Sequence, residues 1–172
     1  MKSVMSIMLA SILCFAGHPC NGQKVDNSTV QTLDLDRYLG PWYEIARFDH
    51  SFERGLTHAK AEYTLNDNGT ITVTNSGLKK GKDRTSVGKA KTTDTVGLLR
   101  VSFFGPFYSD YRVMKLSKDY KYALVGSGSG NYLWILSRTP EVPEKILGQM
   151  LDEAMDRGYD IDKLIWVDQT GE

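Results

Sequence analysis

The amino-acid sequence predicts an all-β fold, an eight-stranded up-and-down antiparallel β-barrel with one C-terminal α-helix packed outside. Eight short apolar or alternating segments follow one another closely between residues 42 and 137. Most are joined by hairpin-length turns, and Asn68-Gly69 between two alternating runs is a strong hairpin signal. No helical pattern separates any two segments, so neighbouring strands should pair antiparallel. Closing eight such strands into a barrel removes both exposed sheet edges.

The strands are bounded by residues that favour turns. Gly105 and Pro106 separate two of the more apolar segments. Residues 49–56 carry mixed charges and predict a long loop that forms a lid or rim of the pocket, whereas residues 77–84 are basic, contain glycine and predict a turn. The predicted strands are 42–48, 58–65, 70–74, 85–92, 97–104, 107–116, 122–126 and 132–137.

Two helices are predicted beside these strands. Residues 34–39 fit one or two helical turns. A longer helix follows Pro143 and ends at Gly158. Its apolar residues recur at three- and four-residue steps, so they form one face that must pack on the outer wall of the barrel. These residues are Ile146, Leu147, Met150, Leu151, Ala154 and Met155. Residues 163–167 predict a short final strand.

Length and charge limit the organisation and the partners. The 172 residues suffice for one domain, and the equal numbers of basic and acidic residues, 21 each, give no positive excess for a nucleic-acid partner. Residues 4–16 form an apolar run of signal-peptide size, too short to span a membrane. The alternative is a buried N-terminal helix, which the lack of a polar stripe disfavours. The predicted organisation is a signal peptide over 1–22, a polar tether over 23–33 and the barrel domain over 34–172.

Both cysteines, Cys14 and Cys20, lie in the N-terminal segment. Cleavage after Gly22 would leave a mature chain that folds without disulfides, although export would permit them. Cys20 has two interpretations: it is removed with the signal peptide, or it is the acylated first residue of a lipoprotein and a lipid anchor to the membrane. The predicted location is the cell envelope, in the outer membrane or periplasm, or outside the cell if Cys20 is not acylated.

Three motifs in the expected order resemble the lipocalin family. Gly40 and Trp42 form the Gly-x-Trp motif at the start of the first strand. Asp119 and Tyr120 match the Asp-Tyr motif between strands six and seven, and Arg138 matches the single arginine after strand eight. The resemblance implies a structural role for all five residues.

The resemblance extends to a narrower group and implies a function. Residues 101–108 and 132–140 are similar to the bacterial outer-membrane lipoprotein lipocalins and to apolipoprotein D. Their group implies that the chain binds and stores or transports a fatty acid, a lysophospholipid or a related lipid, with no catalysis. The alternatives are a lipocalin-fold enzyme acting on a lipid substrate and an envelope interaction protein. A homodimer is a further possibility.

Trp42 and Arg138 also have a physical rationale. A barrel that holds an apolar ligand at one end must be plugged at the other, and an indole fills the base. A guanidinium can stack on the indole face, which contributes about 0.5–2 kcal/mol, and can donate to the carbonyls of the short first helix. Gly40 permits close approach of the chain beside the indole.

The pocket residues follow from strand parity. Inward and outward side chains alternate, and an eight-stranded barrel leaves room for one small ligand. Small residues on some strands face large ones on others, which predicts an elongated, mostly apolar cavity. The predicted ligand-contacting residues are Ala61, Tyr63, Val73, Asn75, Ser86, Leu99, Val101, Phe103, Val113, Val125, Tyr132 and Trp134.

No cofactor, metal or catalytic residue is expected. The histidines His50 and His58 have no other donors at metal-ligand spacing, and no Gly-x-Ser-x-Gly motif occurs. The glycine-rich residues 126–130 join two strands and predict a flexible hairpin. A basic cluster in the turn over 77–84 is either a solvated surface or a contact for an anionic lipid headgroup. It comprises Lys79, Lys80, Lys82 and Arg84.

Overall fold

Nine strands and two α-helices follow one another along residues 24–170, the part of the chain that the computed structural model describes. The first helix is capped by Asp34, whose carboxylate accepts the backbone N–H of Arg37. The elements are α1 (Leu35–Tyr38), β1 (Gly40–Phe48), β2 (Leu56–Leu65), β3 (Ile71–Lys79), β4 (Lys82–Thr92), β5 (Leu98–Phe104), β6 (Phe107–Leu116), β7 (Tyr122–Gly126), β8 (Leu133–Ser137), α2 (Glu144–Asp156) and β9 (Leu164–Trp166).

The first eight strands close into a barrel. Each strand from β2 to β8 pairs antiparallel with the next, β8 pairs with β1, and β1 pairs with β2. The predicted eight-stranded barrel with an outer helix is confirmed. The extra strand β9 pairs with the end of β1, from Ala46 to Phe48. The end with α1 is called the closed end here, and the end with the loop over 49–55 is called the open end.

The hairpin of β3 and β4 is longer than predicted. Only Lys80 and Gly81 form the turn, both with positive φ (54° and 69°), as a two-residue hairpin turn requires. The predicted turn over 77–84 was therefore too wide. This half of β4 pairs with β3 but not with β5, whose pairing begins at Lys89. Its two faces are therefore exposed, and no apolar alternation marked it as a strand.

A β-bulge in β1 changes which side chains point inward. The register with β8 shifts between Glu44 and Ala46. Ile45 and Ala46 both pack in the cluster under α2, outside the barrel. The extra residue reverses the alternation, so that Glu44 and Arg47 both lie on the inner side.

Helix α2 covers one outer face of the barrel. Its Met150 and Ala154 are buried against outward side chains of β1, β6, β7 and β8. Tyr159, just after the helix, donates from its hydroxyl to the sulfur of Met114 at 3.4 Å. The predicted amphipathic face therefore packs as expected.

The described part of the predicted tether, residues 24–33, packs along the barrel wall. The N–H of Asp26 donates to the carbonyl of Arg157, and that of Val30 donates to the carbonyl of Val113. The amide of Asn27 donates to the carbonyls of Ser127 and Gly128. Polar groups of this segment thus hydrogen-bond to backbone groups of the barrel and of the end of α2.

Candidate functional site

The closed end is plugged by the indole of Trp42. The side chain is completely buried, and its Nε1 donates to the carbonyl of Tyr38 at 2.8 Å. The guanidinium of Arg138 lies over the ring, 3.8 Å from its centroid. Gly40 has a φ of 89°, and a side chain there would stand next to Arg138.

Arg138 also joins three segments by hydrogen bonds. Its Nη2 donates to the carbonyls of Arg37 and Tyr38 at 2.7 and 3.0 Å, its Nη1 to that of Pro41 at 2.7 Å, and its Nε to that of Tyr120 at 3.2 Å. One side chain therefore ties the first helix, β1 and the β6–β7 turn together.

Asp119 and Tyr120 shape the β6–β7 turn at the same end. The Asp119 carboxylate accepts the hydroxyl of Ser117 at 2.6 Å, and this hydrogen bond lowers the pKa of Asp119. Tyr120 adopts a φ of 60°, and its hydroxyl accepts the N–H of Asp34 at 2.8 Å. These contacts are structural and lie away from the open end.

The exposure of inward side chains rises from the closed end to the open end. This holds along β3, β4, β5 and β8: on β5, for example, Leu99 is covered, whereas Val101 and Phe103 are partly exposed. The covered members of the predicted pocket are Tyr63, Val73, Leu99, Val113 and Val125. The partly exposed members are Ala61, Asn75, Val101, Phe103, Tyr132 and Trp134. Accessible surface inside the barrel is thus concentrated in its upper half.

Most of the predicted pocket residues meet in one cluster, and three lie outside it. Nine of them pack in the inner core cluster with Trp42. Asn75 is on the same side, and its Oδ1 is buried without a hydrogen-bond partner. Ser86 is exposed because it lies on the projecting part of β4. Tyr132 lies at the rim, stacked against Trp134 with ring centroids 5.9 Å apart.

A group of three tyrosines inside the barrel includes two, Tyr38 and Tyr111, that sequence reasoning missed. The hydroxyl of Tyr111 lies 2.7 Å from that of Tyr38 and 3.0 Å from that of Tyr63. Burial raises the pKa of Tyr111 well above its ordinary value. The inward position of Tyr111 could have been predicted, since Val113, two residues further on, was placed inward.

A buried polar cluster, also absent from the predicted set, lies on the β1 side of the barrel. It consists of Glu44, Arg47, His50 and Glu53, none more than 7% exposed. Arg47 donates from Nη1 to Oε1 of Glu44 at 2.5 Å and from Nη2 to the carbonyl of Glu53 at 2.7 Å. The indole Nε1 of Trp134 donates to Oε2 of Glu53 at 3.2 Å. These bonds hold the 49–55 loop against the inner wall.

Several atoms of this polar cluster lack a partner among the described residues. Nε of Arg47 and both ring nitrogens of His50 are buried without a hydrogen bond. His50 Nε2 lies 3.2 Å from Oε2 of Glu53, but the two atoms are not aligned for a hydrogen bond. Glu44 Oε2 and Glu53 Oε1 also make no hydrogen bond within residues 24–170.

The ionisation of the cluster reflects its burial. Burial raises the pKa of Glu44 to about 8, the nearby Glu53 carboxylate adds to the rise, and Arg47 opposes it. Burial also raises the pKa of Glu53. Burial lowers the pKa of His50 to about 4, with the positive charge of Arg47 contributing. Near pH 7, Glu44 therefore keeps much of its proton and His50 is neutral.

Aromatic rings surround this cluster at the open end. The rings of His50 and Phe52 stack with centroids 4.0 Å apart, and His50 lies 5.5 Å from Tyr132 and 5.3 Å from Trp134. Phe52 is exposed. The 49–55 loop is thus a rim of the open end, with aromatic side chains towards the pocket.

Other predicted features have different outcomes. Cys20 and the predicted signal peptide lie outside the described residues. The basic cluster at Lys79, Lys80, Lys82 and Arg84 lies at the tip of the β3–β4 hairpin. Within residues 24–170, no group of side chains is arranged to hold a metal ion. Within the same residues, no helix has the length and hydropathy to cross a membrane.

Comparisons with known proteins agree with this architecture. The family profile described as "Lipocalin-like domain" matches residues 33–169. The chain belongs to the lipocalin family. The outer membrane lipoprotein Blc of Escherichia coli (strain K12) is 46% identical to this lipocalin. The alignment covers 93% of this chain and 90% of that protein. Apolipoprotein D of Mus musculus is 34% identical, covering 81% of this chain and 79% of that protein.

A solved structure shows the same fold at lower identity. Insecticyanin from the tobacco hornworm Manduca sexta superposes with a TM-score of 0.69 at 21% identity, covering 84% of this lipocalin and 85% of that chain. At this identity the likeness concerns the fold alone. The predicted resemblance to the outer-membrane lipoprotein and apolipoprotein D group is confirmed, and the predicted location in the cell envelope agrees with the name of the bacterial relative.

Proposed function

We propose that this lipocalin binds a lipid-like molecule, such as a fatty acid, a lysophospholipid or a related lipid, and stores or carries it in the cell envelope without catalysis. The observation that carries the proposal is the gradient of exposure inside the barrel. Apolar inward side chains are covered near Trp42 and become accessible towards one open end. An apolar recess with a few polar groups is the usual form of a site for an apolar molecule with a polar head.

The family relationship supports the same proposal. The bacterial relative is named as an outer membrane lipoprotein, and apolipoprotein D is a relative of similar length. Anchoring through an acylated Cys20 and formation of a homodimer are further parts of the proposal. Intact-mass measurement of the mature protein tests the acyl group, and size-exclusion chromatography with light scattering tests the dimer.

Displacement of a fluorescent probe tests the binding site. Delipidated protein should bind N-phenyl-1-naphthylamine saturably, and oleate or a lysophospholipid should displace it. Ala61→Phe, which adds a ring on the partly exposed inner wall, should weaken binding about tenfold or more. Thr64→Phe, on the exposed outer face of the same strand, is the matched control and should bind as the natural protein does.

Two outcomes would contradict the proposal. The barrel is not the site if Ala61→Phe and Thr64→Phe bind the probe and lipids equally well. Lipid binding as a function fails if no lipid of the panel competes saturably. Incubation with lysophospholipids, followed by mass spectrometry, tests the enzyme alternative, since products above background would contradict a purely binding role.

A further inference from the structure

The buried polar cluster of Glu44, Arg47, His50 and Glu53 lies beside the accessible part of the pocket. Arg47 is paired in register with Trp134, an inward and partly exposed residue of β8. Trp134 in turn donates to the Glu53 carboxylate. The cluster therefore lines the upper half of the barrel, where a ligand entering from the open end would place its polar head.

The cluster contains more negative than positive groups. Glu44 and Glu53 are two carboxyl groups, whereas Arg47 is the single cation. His50 is more than nine-tenths buried and neutral near pH 7, so it adds no positive charge. With both carboxyl groups ionised, the cluster would carry one uncompensated negative charge inside the protein, which is costly unless a cation is bound.

The unpartnered atoms of the site are mainly acceptors. Glu44 Oε2 and Glu53 Oε1 make no hydrogen bond within the described chain, and the unpartnered donors beside them are Arg47 Nε and the ring N–H of His50. His50 adds one ring nitrogen that accepts when the imidazole is neutral. A primary ammonium has three donors and no acceptor, so it complements these atoms.

The aromatic rim adds a second attraction for a cation. The rings of Tyr132 and Trp134 stack on each other beside the imidazole of His50, and the ring of Phe52 stacks on that imidazole. Aromatic faces attract ammonium groups through their quadrupole, and the attraction grows when the cation is desolvated. A carboxylate head would meet the same rings without this gain, and it has no hydrogen-bond donor to offer to the unpartnered acceptor atoms of the cluster.

We propose that the cluster of Glu44, Arg47, His50 and Glu53 is a headgroup site that selects lipids with a primary ammonium head over lipids with a free carboxylate head. This inference rests on the proposed lipid-binding function and adds the charge class of the ligand. Binding of the ammonium leaves both carboxyl groups ionised, and the displaced proton goes to solvent. Arg47 keeps its pairing with Glu44 and positions the loop that carries Glu53.

Three ligands with the same eighteen-carbon monounsaturated chain separate the contribution of the headgroup to affinity from that of the tail, because burial of the tail contributes about equally in all three. These are oleylamine, monoolein and oleate, which are cationic, neutral and anionic at neutral pH. Each is titrated below its aggregation concentration against protein loaded with N-phenyl-1-naphthylamine. We expect oleylamine to bind about tenfold or more tightly than oleate, with monoolein between them.

Two variants assign the preference to the cluster. Glu53→Gln and Glu44→Gln should each weaken oleylamine binding by about tenfold while changing monoolein binding by less than about threefold. Glu62→Gln makes the same chemical change on the exposed outer face of β2 and should leave all three affinities unchanged. Retained monoolein binding also shows that each variant keeps a folded pocket.

The outcomes distinguish this inference from the proposed function. Oleate binding as tightly as oleylamine would overturn the headgroup site while leaving lipid binding intact. A preference for oleylamine that persists in both Glu44→Gln and Glu53→Gln would assign it elsewhere and overturn the role of the cluster. If none of the three ligands binds saturably, the proposed function itself fails.

Discussion

Replacement of Arg138 by methionine should strongly destabilise the barrel. Methionine keeps much of the apolar stem but removes the guanidinium that stacks on Trp42 and donates to four carbonyls. Because the side chain is only partly buried, each hydrogen bond is expected to contribute about 1 kcal/mol, at the lower end of the usual range. Together with the stack, we expect the free energy of unfolding to fall by about 5 kcal/mol.

Urea unfolding followed by tryptophan fluorescence measures this loss, and near-UV circular dichroism reports the environment of Trp42. Arg84→Met, on the exposed half of β4, is the matched control and should change the unfolding free energy by less than about 0.5 kcal/mol. Arg138→Lys should recover less than half of the loss, because one ammonium cannot reach four separate carbonyls. A loss for Arg138→Met no larger than that of the control would refute this role for Arg138.

Three further perturbations test other parts of the structure. The pKa of Glu44 is raised to about 8, so its neutral form stabilises the fold at low pH, and this contribution is lost as pH rises through 8. Above about pH 7.5, where His50 is almost fully neutral in the folded and the unfolded state, the free energy of unfolding should fall with pH by up to about 0.7 kcal/mol. Glu44→Gln should flatten this slope, and an equal slope in the variant would contradict the assignment. Tyr111→Phe leaves two buried tyrosine hydroxyls without their shared partner and should lower the unfolding free energy by about 1–3 kcal/mol, whereas no change in the urea midpoint would show that these bonds are not stabilising. Gly88→Ala would place a Cβ 2.6 Å from the Ser102 carbonyl oxygen and should destabilise the barrel. Gly148→Ala, in open space on α2, should stabilise the protein by up to about 1 kcal/mol. Thermal melting measures both shifts in melting temperature, and equal shifts would contradict the packing argument.

The barrel could be predicted because its strands obey simple alternation. Along β5, Leu99, Val101 and Phe103 alternate with outward residues, and the same parity holds in β3, β7 and β8. The three family motifs identify the closed end, where Trp42 and Arg138 contact each other. Local pattern and tertiary structure agree in these elements, so sequence reasoning placed most of the inner wall correctly.

The polar cluster could not be predicted from the same alternation. Glu44 interrupts an apolar strand, and the bulge after it turns Arg47 inward, where unbroken parity would leave the two residues on opposite sides. His50 and Glu53 belong to a loop, and only contacts with β1 and β8 bring them to the inner wall. These positions depend on three-dimensional packing, which no periodicity of the sequence encodes.

The single extra residue in β1 lets one strand serve two environments with opposite chemistry. Ile45 and Ala46 pack side by side on the apolar outer face under α2, while Glu44 and Arg47 on either side of them point into the barrel. Unbroken alternation of the same residues would turn Phe48 into the cavity and place Arg47 against the outer contact with Met150. The bulge therefore decides whether a phenyl ring or an ionic group lines this part of the interior.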